Sequence, residues 1–518
     1  MLVLTKVIPI LTLLYNGIRG ANGCQGKTFG SDSFVCVCST EYCDDFPEVI
    51  VEEGHFKHIY SSKLVDRFNV SEGPISDAPL PEHTVITINL TETHQTMLGF
   101  GGAFTDATGI NIASLSMAMQ EKLLRSYFST SGLEYNIGRI PIGGCDFSTH
   151  PYSYDDVEDD ILLEHFALAP EDHLYKLPYI KWAMSLTERP LLFFGSPWSP
   201  PSWMKESGVF NGTGGIKREM WQGYADYIVK FVESYEAQGV PLWGLTPQNE
   251  PVMWGKDWLF NACEWNATDM RDWIKTSLGP TLEAAGMRRL KLMVLDHNRD
   301  ALPWFPDTIL DDPDAYQYVD GIAIHWYEDY HLPPDGLDLI HDHYPEKFIL
   351  YTEACREDVV IGSWEEAENY AHNIIEDINH WSTGWVDWNM ALDMEGGPNW
   401  AKNFVNSPIM VDKDVDVFYK QPLFYAMGHV AKFVTTGDVR VSFAIAPATT
   451  THEEEVKVGY DNLEMTAILK ENGQVVVVVM NTRDEEHSIS IVDTQGSVIN
   501  LDLEPRSLNT ILYDSLAK

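Results

Sequence analysis

The sequence predicts an α/β fold built on a closed (β/α)8 barrel, carried beside an all-β domain that draws on both ends of the chain. Three observations lead there. From about Gly99 to Asn389, short apolar runs alternate with longer amphipathic stretches, the rhythm of repeated βα units. After about Val434 the texture changes to alternating strand-like segments separated by turn signals. At 518 residues the chain has room for a barrel of roughly 250 to 350 residues and an appended domain.

Taken in order, Met1 to Gly20 carry Lys6, the apolar stretch Val7 to Leu14 and then small residues, the layout of a cleaved signal peptide over 1–20 that is too short to span a bilayer. Cys24, Cys36, Cys38 and Cys43 crowd in behind it, a disulfide-dense segment suited to an oxidising compartment. Three pairings fit those four. Seven cysteines cannot all pair, and Cys145, Cys263 and Cys355 are expected to be buried thiols packing as small hydrophobes. Thr84 to Leu90 alternates apolar and polar residues, so Val49 to Leu90 is expected to add strands to the C-terminal β domain. Candidate barrel strands are Leu98–Ala103, Tyr135–Ile142, Pro190–Gly195, Leu242–Thr246, Leu290–Leu295, Gly321–His325, Phe348–Thr352 and Gly384–Trp388. Eight in series suggest a TIM barrel. A doubly wound sheet is disfavoured, because Gly99, Gly101 and Gly102 lack the phosphate-turn spacing. Glu471-Asn472-Gly473, just before the apolar run Val475 to Met480, signals a hairpin. That run is the longest outside the leader, far short of a transmembrane segment.

Charge narrows the function classes. With 35 basic and 77 acidic residues the net charge is −42 and the pI about 4.6, which argues against nucleic acid as a partner, since a phosphate backbone needs a cationic face. Such a balance suits an acidic lumen, where carboxylates protonate and 17 histidines become cationic, and it also suits a merely solubilising surface. Four Asn-x-Ser/Thr sites, at Asn69, Asn89, Asn211 and Asn266, are candidate glycan positions and agree with export.

Barrel enzymes place their reacting groups at C-terminal strand ends. Glu250 follows the fourth strand in Asn249-Glu250-Pro251, and Glu353 follows the seventh in Thr352-Glu353-Ala354. Two carboxylates facing each other across a barrel mouth suit glycoside hydrolysis, in which one protonates the leaving oxygen and the other attacks the anomeric carbon. Glu250 is expected to be the acid/base, its pKa raised by burial and by Glu353, while Glu353 is the nucleophile and stays ionised. Sugar rings also need flat apolar platforms. Trp198 and Trp388 are the candidates for substrate, whereas Trp203, Trp326 and Trp385 are read as structural. Asp146 could accept sugar hydroxyls or cap a loop. Arg139, inside the second strand, points inward to orient a carboxylate or to close a structural ion pair, and His325 and Tyr327 are expected to hydrogen-bond Glu353. No metal and no organic cofactor is called for. No G-x-S-x-G elbow or H-E-x-x-H motif occurs to support a serine hydrolase or a zinc protease.

Taken together, the spaced cysteines Cys24 to Cys43, Gly99-Phe100-Gly101-Gly102-Ala103, Cys145-Asp146-Phe147-Ser148, Ser196-Pro197-Trp198, Asn249-Glu250-Pro251, His325-Trp326-Tyr327, Glu353-Ala354-Cys355 and Glu395-Gly396-Gly397-Pro398-Asn399-Trp400 resemble the sphingolipid-cleaving branch of glycoside hydrolase family 30. The match runs in order over essentially the whole mature chain. The resemblance implies a barrel over 97–389 plus 422–436, an immunoglobulin-like β-sandwich over 49–96 plus 437–518, and a small cysteine-bearing antiparallel sheet over 21–47 plus 390–421. It implies pairing of Cys24 with Cys36 and of Cys38 with Cys43. It implies hydrolysis of glucosylceramide at a lipid surface with retention, in the lysosomal lumen or after secretion, with a saposin-type activator as partner. By motif position, Glu250 and Glu353 match the acid/base and the nucleophile, and Asp146, Trp198, Asn249, Trp388 and Asn403 match glucose-contacting positions. The pattern departs in the loops Lys205–Gln222 and Cys355–Trp364, which are shortened, and in Val252–Asn261, which is rewritten. The charge of −42 departs too, since it repels anionic lipid. Rival readings are another specificity of the same family and a catalytically silent sugar binder.

Overall fold

The computed structural model describes residues 23–46, 48–253, 258–446 and 463–515, so the expected signal peptide lies outside the described residues. Eight parallel strands close a barrel: β1 (Gly99–Ala103), β2 (Ile137–Ile142), β3 (Leu192–Pro197), β4 (Gly244–Leu245), β5 (Lys291–Asn298), β6 (Gly321–His325), β7 (Phe348–Glu353) and β8 (Ser382–Asn389), with β8 pairing back onto β1. Every expected strand is present. Their limits shift by up to three residues, and β4 is shorter than expected. Gly101 is needed where β1 meets β2, because a Cβ there would lie 1.8 Å from the Ile137 carbonyl oxygen.

The barrel interior explains where the chemistry can sit. Ile137, Phe194, Met293, Ala323, Leu350 and Val386 pack together as an apolar plug. Two residues further along the same inward faces come Arg139, Ser196, His325, Thr352 and Trp388, so the period-two alternation of a strand turns an apolar floor into a polar layer at the C-terminal ends. On β5 the step is three, because a bulge lies between Leu295 and His297 and brings Asp296 into that layer. Leu295 and Asp296 both have positive φ, 80° and 52°.

Outside the barrel, nine strands hydrogen-bond in the order Val498–Leu503, His487–Asp493, Thr84–Thr96, Val439–Ala446, Leu463–Leu469, Gln474–Asn481, Ser507–Asp514, His55–Ser62 and Asn69–Pro74. The long N-terminal strand Thr84–Thr96 runs parallel to His487–Asp493 and antiparallel to Val439–Ala446, so both chain ends share one sheet. Gly473, with φ 87°, turns the expected hairpin. Val475, Val477 and Val479 join the sandwich core, and Val476, Val478 and Met480 join the cluster that contains the barrel helices. The run is therefore apolar throughout because both faces are covered.

The cysteine segment contributes Gly26–Lys27 and Val35–Cys38 to a five-stranded sheet with Val417–Lys420, Ile409–Asp412 and Ala391–Asp393. The first four pair antiparallel, and Ala391–Asp393 joins in parallel. Disulfides link Cys24 to Cys36 and Cys38 to Cys43, while Cys145, Cys263 and Cys355 are buried free thiols. Among the described residues no helix is long and apolar enough to cross a membrane.

Candidate active site

The polar layer opens into a cavity of about 220 Å³ at the C-terminal ends of the barrel strands. Asp146, Trp198, Asn249, Glu250, Tyr327, Glu353, Trp388 and Asn403 all line it. Arg139 and His325 lie beneath, each without solvent exposure. Glu250, His325 and Glu353 each offer a polar atom, and these atoms fall within 4.8 Å of one another. A cation could be held at such a spacing, but Glu353 is already matched by two donors. The Arg139 Nη1 donates to Glu353 Oε2, and the Tyr327 hydroxyl donates to Glu353 Oε1 at 2.8 Å. Arg139 also donates from Nη2 to Asn249 Oδ1 and to Asp296 Oδ2, both at 2.8 Å. One guanidinium thus ties together strand ends β2, β4, β5 and β7.

His325 departs from expectation. Its Nδ1 stands 3.3 Å from Glu250 Oε1 and its Nε2 3.0 Å from Asp296 Oδ1, with Glu353 Oε1 farther, at 3.9 Å. β6 lies between β5 and β7, so His325 stands in register with Glu353 on one side, while the bulge on the other side turns Asp296 toward its ring. Burial pulls the His325 ring down, yet the Glu353 charge and the bonds to Asp296 and Glu250 outweigh that and lift it to about 9.

The two glutamates are shifted in directions opposite to those expected from the sequence. Burial raises Glu250, but the His325 hydrogen bond and charge, with His297 and Arg139, bring it below the ordinary glutamate value. Burial and the Glu250 charge keep Glu353 above it, against His325, Arg139 and Tyr327. A cationic imidazole beside Glu250 is what the amino-acid pattern did not reveal.

Trp198 and Trp388 stack on each other at 4.9 Å with 15° between planes, and the Arg139 guanidinium lies 4.8 Å and 5.4 Å from their rings. Trp203, Trp326 and Trp385 are buried and donate to Asp155, Cys355 and Asn373 respectively, and none of the three lines the cavity. Asp146 accepts from Asn399 Nδ2 at 3.0 Å and Asn403 Nδ2 at 3.1 Å, and burial still pushes its carboxyl up to about 7. Glu250 itself sits at φ 45°, with its amide donating 2.9 Å to the Asp296 carbonyl. Cys355 lines the cavity and contacts the Tyr327 hydroxyl at 3.3 Å.

Three contributors were not singled out from the sequence: Asp296, Asn399, and the aromatic wall of Trp258 and Phe260, whose rings lie 5.2 Å apart. Asn399 could have been found, since it falls inside a motif quoted for the resemblance. Of the candidate glycan positions, Asn211 and Asn266 are exposed, and Asn69 and Asn89 are half-buried on strands.

Comparison with known proteins agrees with this arrangement. Residues 97–434 match the glycosyl hydrolase family 30 TIM-barrel domain, and residues 439–511 match the glycosyl hydrolase family 30 beta sandwich domain. Putative glucosylceramidase 3 of Caenorhabditis elegans is 41% identical over 524 residues, covering 98% of each chain. Lysosomal acid glucosylceramidase of Mus musculus is 38% identical over 507 residues, covering 95% of this chain and 96% of the relative. Among solved structures, SrfJ from Salmonella typhimurium superposes with a TM-score of 0.80 at 27% identity, covering 89% of this chain and 99% of that one.

Proposed function

The chain belongs to glycosyl hydrolase family 30 and is a glycoside hydrolase, and from that premise we propose that it is a retaining β-glucosidase cleaving glucosylceramide to glucose and ceramide. The observation that carries the mechanism is the approach of Glu250 and Glu353, whose polar atoms lie within 4.8 Å across the cavity floor. A separation of roughly 5 Å suits direct attack by one carboxylate, whereas inversion needs roughly 6.5 to 9.5 Å to admit a water.

Glu353 attacks the anomeric carbon while Glu250 protonates the glycosidic oxygen and ceramide departs. Water then enters, Glu250 takes its proton, and hydroxide displaces Glu353 from the glucosyl ester with net retention. Arg139 and Tyr327 both donate to Glu353, which matches them to its ionised form. Among the described residues the Glu250 carboxyl hydrogen-bonds His325, and a leaving oxygen in the cavity gives its protonated form a further partner. Asp146, Asn249 and Asn403 supply polar contacts for glucose, and Trp198 and Trp388 the apolar ones.

The leader-like N-terminus, the disulfides and the acidic composition support a lysosomal destination through the secretory pathway, with secretion as the alternative. The name of the mouse relative supports the same destination and the same substrate. At a charge of −42 the protein needs help at an anionic lipid surface, and a saposin-type activator would supply it.

The test is hydrolysis of glucosylceramide in anionic detergent micelles at mildly acidic pH, beside an aryl β-glucoside and an aryl β-xyloside, with a cyclitol epoxide as covalent trap. Ceramide release with the label on Glu353 supports the reading. Labelling without ceramide release moves the substrate, and no turnover or label points to a silent binder.

A further inference from the structure

Asp296 lies under both proposed catalytic carboxyls with no solvent exposure. Its four acceptor directions are filled: Arg139 Nη2 at 2.8 Å and Thr246 Oγ1 at 2.7 Å on one oxygen, His325 Nε2 at 3.0 Å and Thr352 Oγ1 at 2.7 Å on the other. Arg139 continues to Glu353, His325 continues to Glu250, and the Asp296 carbonyl accepts the Glu250 amide. Resting on the reading of Glu250 and Glu353 given above, we propose that Asp296 is the positioning residue of this reaction, a single buried charge that holds His325 and Arg139 in place, and so sets acid/base and nucleophile together.

A packing role does not account for the way the backbone is spent here. Two adjacent non-glycine residues at positive φ and a bulge in a central barrel strand are costly, and such strain concentrates where a side chain must be aimed. Charge is the reason for the choice of residue. Burial pushes the Asp296 carboxyl up, but Arg139, His325 and Thr246 outweigh it and hold it far below the usual carboxylate range. The groups facing His325 are Asp296, Glu250 and Glu353, which favour its cation, and Arg139, His297 and Tyr327 around them.

The sign of the effect follows from this arrangement. With Asp296 neutral, His325 loses one of its counter-charges and deprotonates more readily, so Glu250 loses the cation that depresses it and stays protonated to higher pH. Glu353 feels two opposed changes, losing the His325 cation that lowers it and gaining a fuller share of Arg139. The basic limb of the pH profile should therefore move up while the rate falls, because the two arms are no longer aimed.

The experiment compares wild type with Asp296→Asn on an aryl β-glucoside, measuring kcat and KM against pH, with thermal unfolding as a check on the fold. We expect kcat to fall roughly 10- to 100-fold with KM changed by under about threefold, and the basic limb to rise by roughly one unit. A lower rate with both limbs at their wild-type positions overturns the proposal, since lost packing alone would give that. A measurement on wild type keeps it refutable if the variant does not fold: nitrogen-15 NMR of histidine-labelled protein should show the His325 ring still doubly protonated at pH 7, and a neutral ring at pH 6 refutes it. Trapping with the cyclitol epoxide separates the two layers. A label away from Glu353 sinks the catalytic reading, whereas normal labelling of Glu353 with unmoved limbs sinks the role of Asp296 alone.

Discussion

Replacing Arg139 by leucine should cost both stability and turnover, by amounts that the site geometry sets. The guanidinium is fully buried and satisfies Glu353, Asp296 and Asn249 together. Its removal leaves two buried carboxylates short of a counter-charge, and breaking one partner out of a buried pair costs about 3–5 kcal/mol. His325 still serves Asp296 and Tyr327 still serves Glu353, so the lower part of that range is expected. The stacked Trp198 and Trp388 rings also lose the cation beside them, worth about 1–2 kcal/mol in a desolvated setting. On activity the sign is fixed: burial already raises Glu353, Arg139 opposes that rise, and without it the nucleophile stays protonated to higher pH. The acidic limb of kcat/KM should climb. Arg139→Lys restores a charge but not the fork, so one acceptor is served in place of three and both losses should shrink without vanishing. Urea unfolding measures the first effect and a pH profile on an aryl β-glucoside the second. A stability loss under about 1 kcal/mol together with an unmoved acidic limb would refute the argument that Arg139 organises the site.

Glu353→Gln should lower turnover roughly 10⁴-fold or more at the glycosylation step, while Glu250→Gln should still accumulate a glycosyl-enzyme from substrates with good leaving groups, read by intact-mass spectrometry. Stability should fall as pH rises between about 4 and about 7: Asp146 and Glu366 are each lifted to about 7 by burial in the folded protein, so the fold holds protons there that the unfolded chain, ionising near 4, has already lost. Asp146→Asn should flatten part of that slope in pH-dependent calorimetry, and an unchanged slope would show that the carboxyl is not protonated in the fold. Tyr327→Phe removes one donor from Glu353 and should lift the acidic limb in the same direction as the Arg139 variants but by less, since a neutral hydroxyl lowers that carboxyl less than the guanidinium does.

What could be read from the chain depended on whether the information was periodic. The barrel strands were legible because each is a short apolar run between amphipathic stretches, and Glu250 and Glu353 were legible because they end such runs. Val475 to Met480 was recognisable as a strand, but only packing shows why it does not alternate: one face meets the sandwich core and the other the barrel helices. Asp296 escaped because it breaks the rule that found the others. Counting by twos from Met293 gives Leu295, and the bulge that brings Asp296 inward leaves no mark in a pattern of apolar and polar letters. That the His325 ring hydrogen-bonds Glu250 and Asp296 while only its charge reaches Glu353 escaped for a related reason: the direction of the ring depends on the β5 bulge. The charge states of buried groups in contact lie beyond sequence altogether, since they depend on distances of 3 to 4 Å between residues up to a hundred or more positions apart.

The joining of both chain ends in one sheet sets a timetable for biosynthesis. Thr84–Thr96 emerges from the ribosome early, but the strands on either side of it, Val439–Ala446 and His487–Asp493, come last. Roughly 340 residues separate Thr96 from Val439, which at roughly 5–20 residues per second is a wait of about 20–70 s. Throughout that interval a thirteen-residue strand with Ile86 and Ile88 on its buried face has neither neighbour, while the barrel behind it is already able to close. Chaperones that hold extended apolar segments thus have a defined client window, and a chain halted before Val439 carries an unshielded strand that marks it for removal.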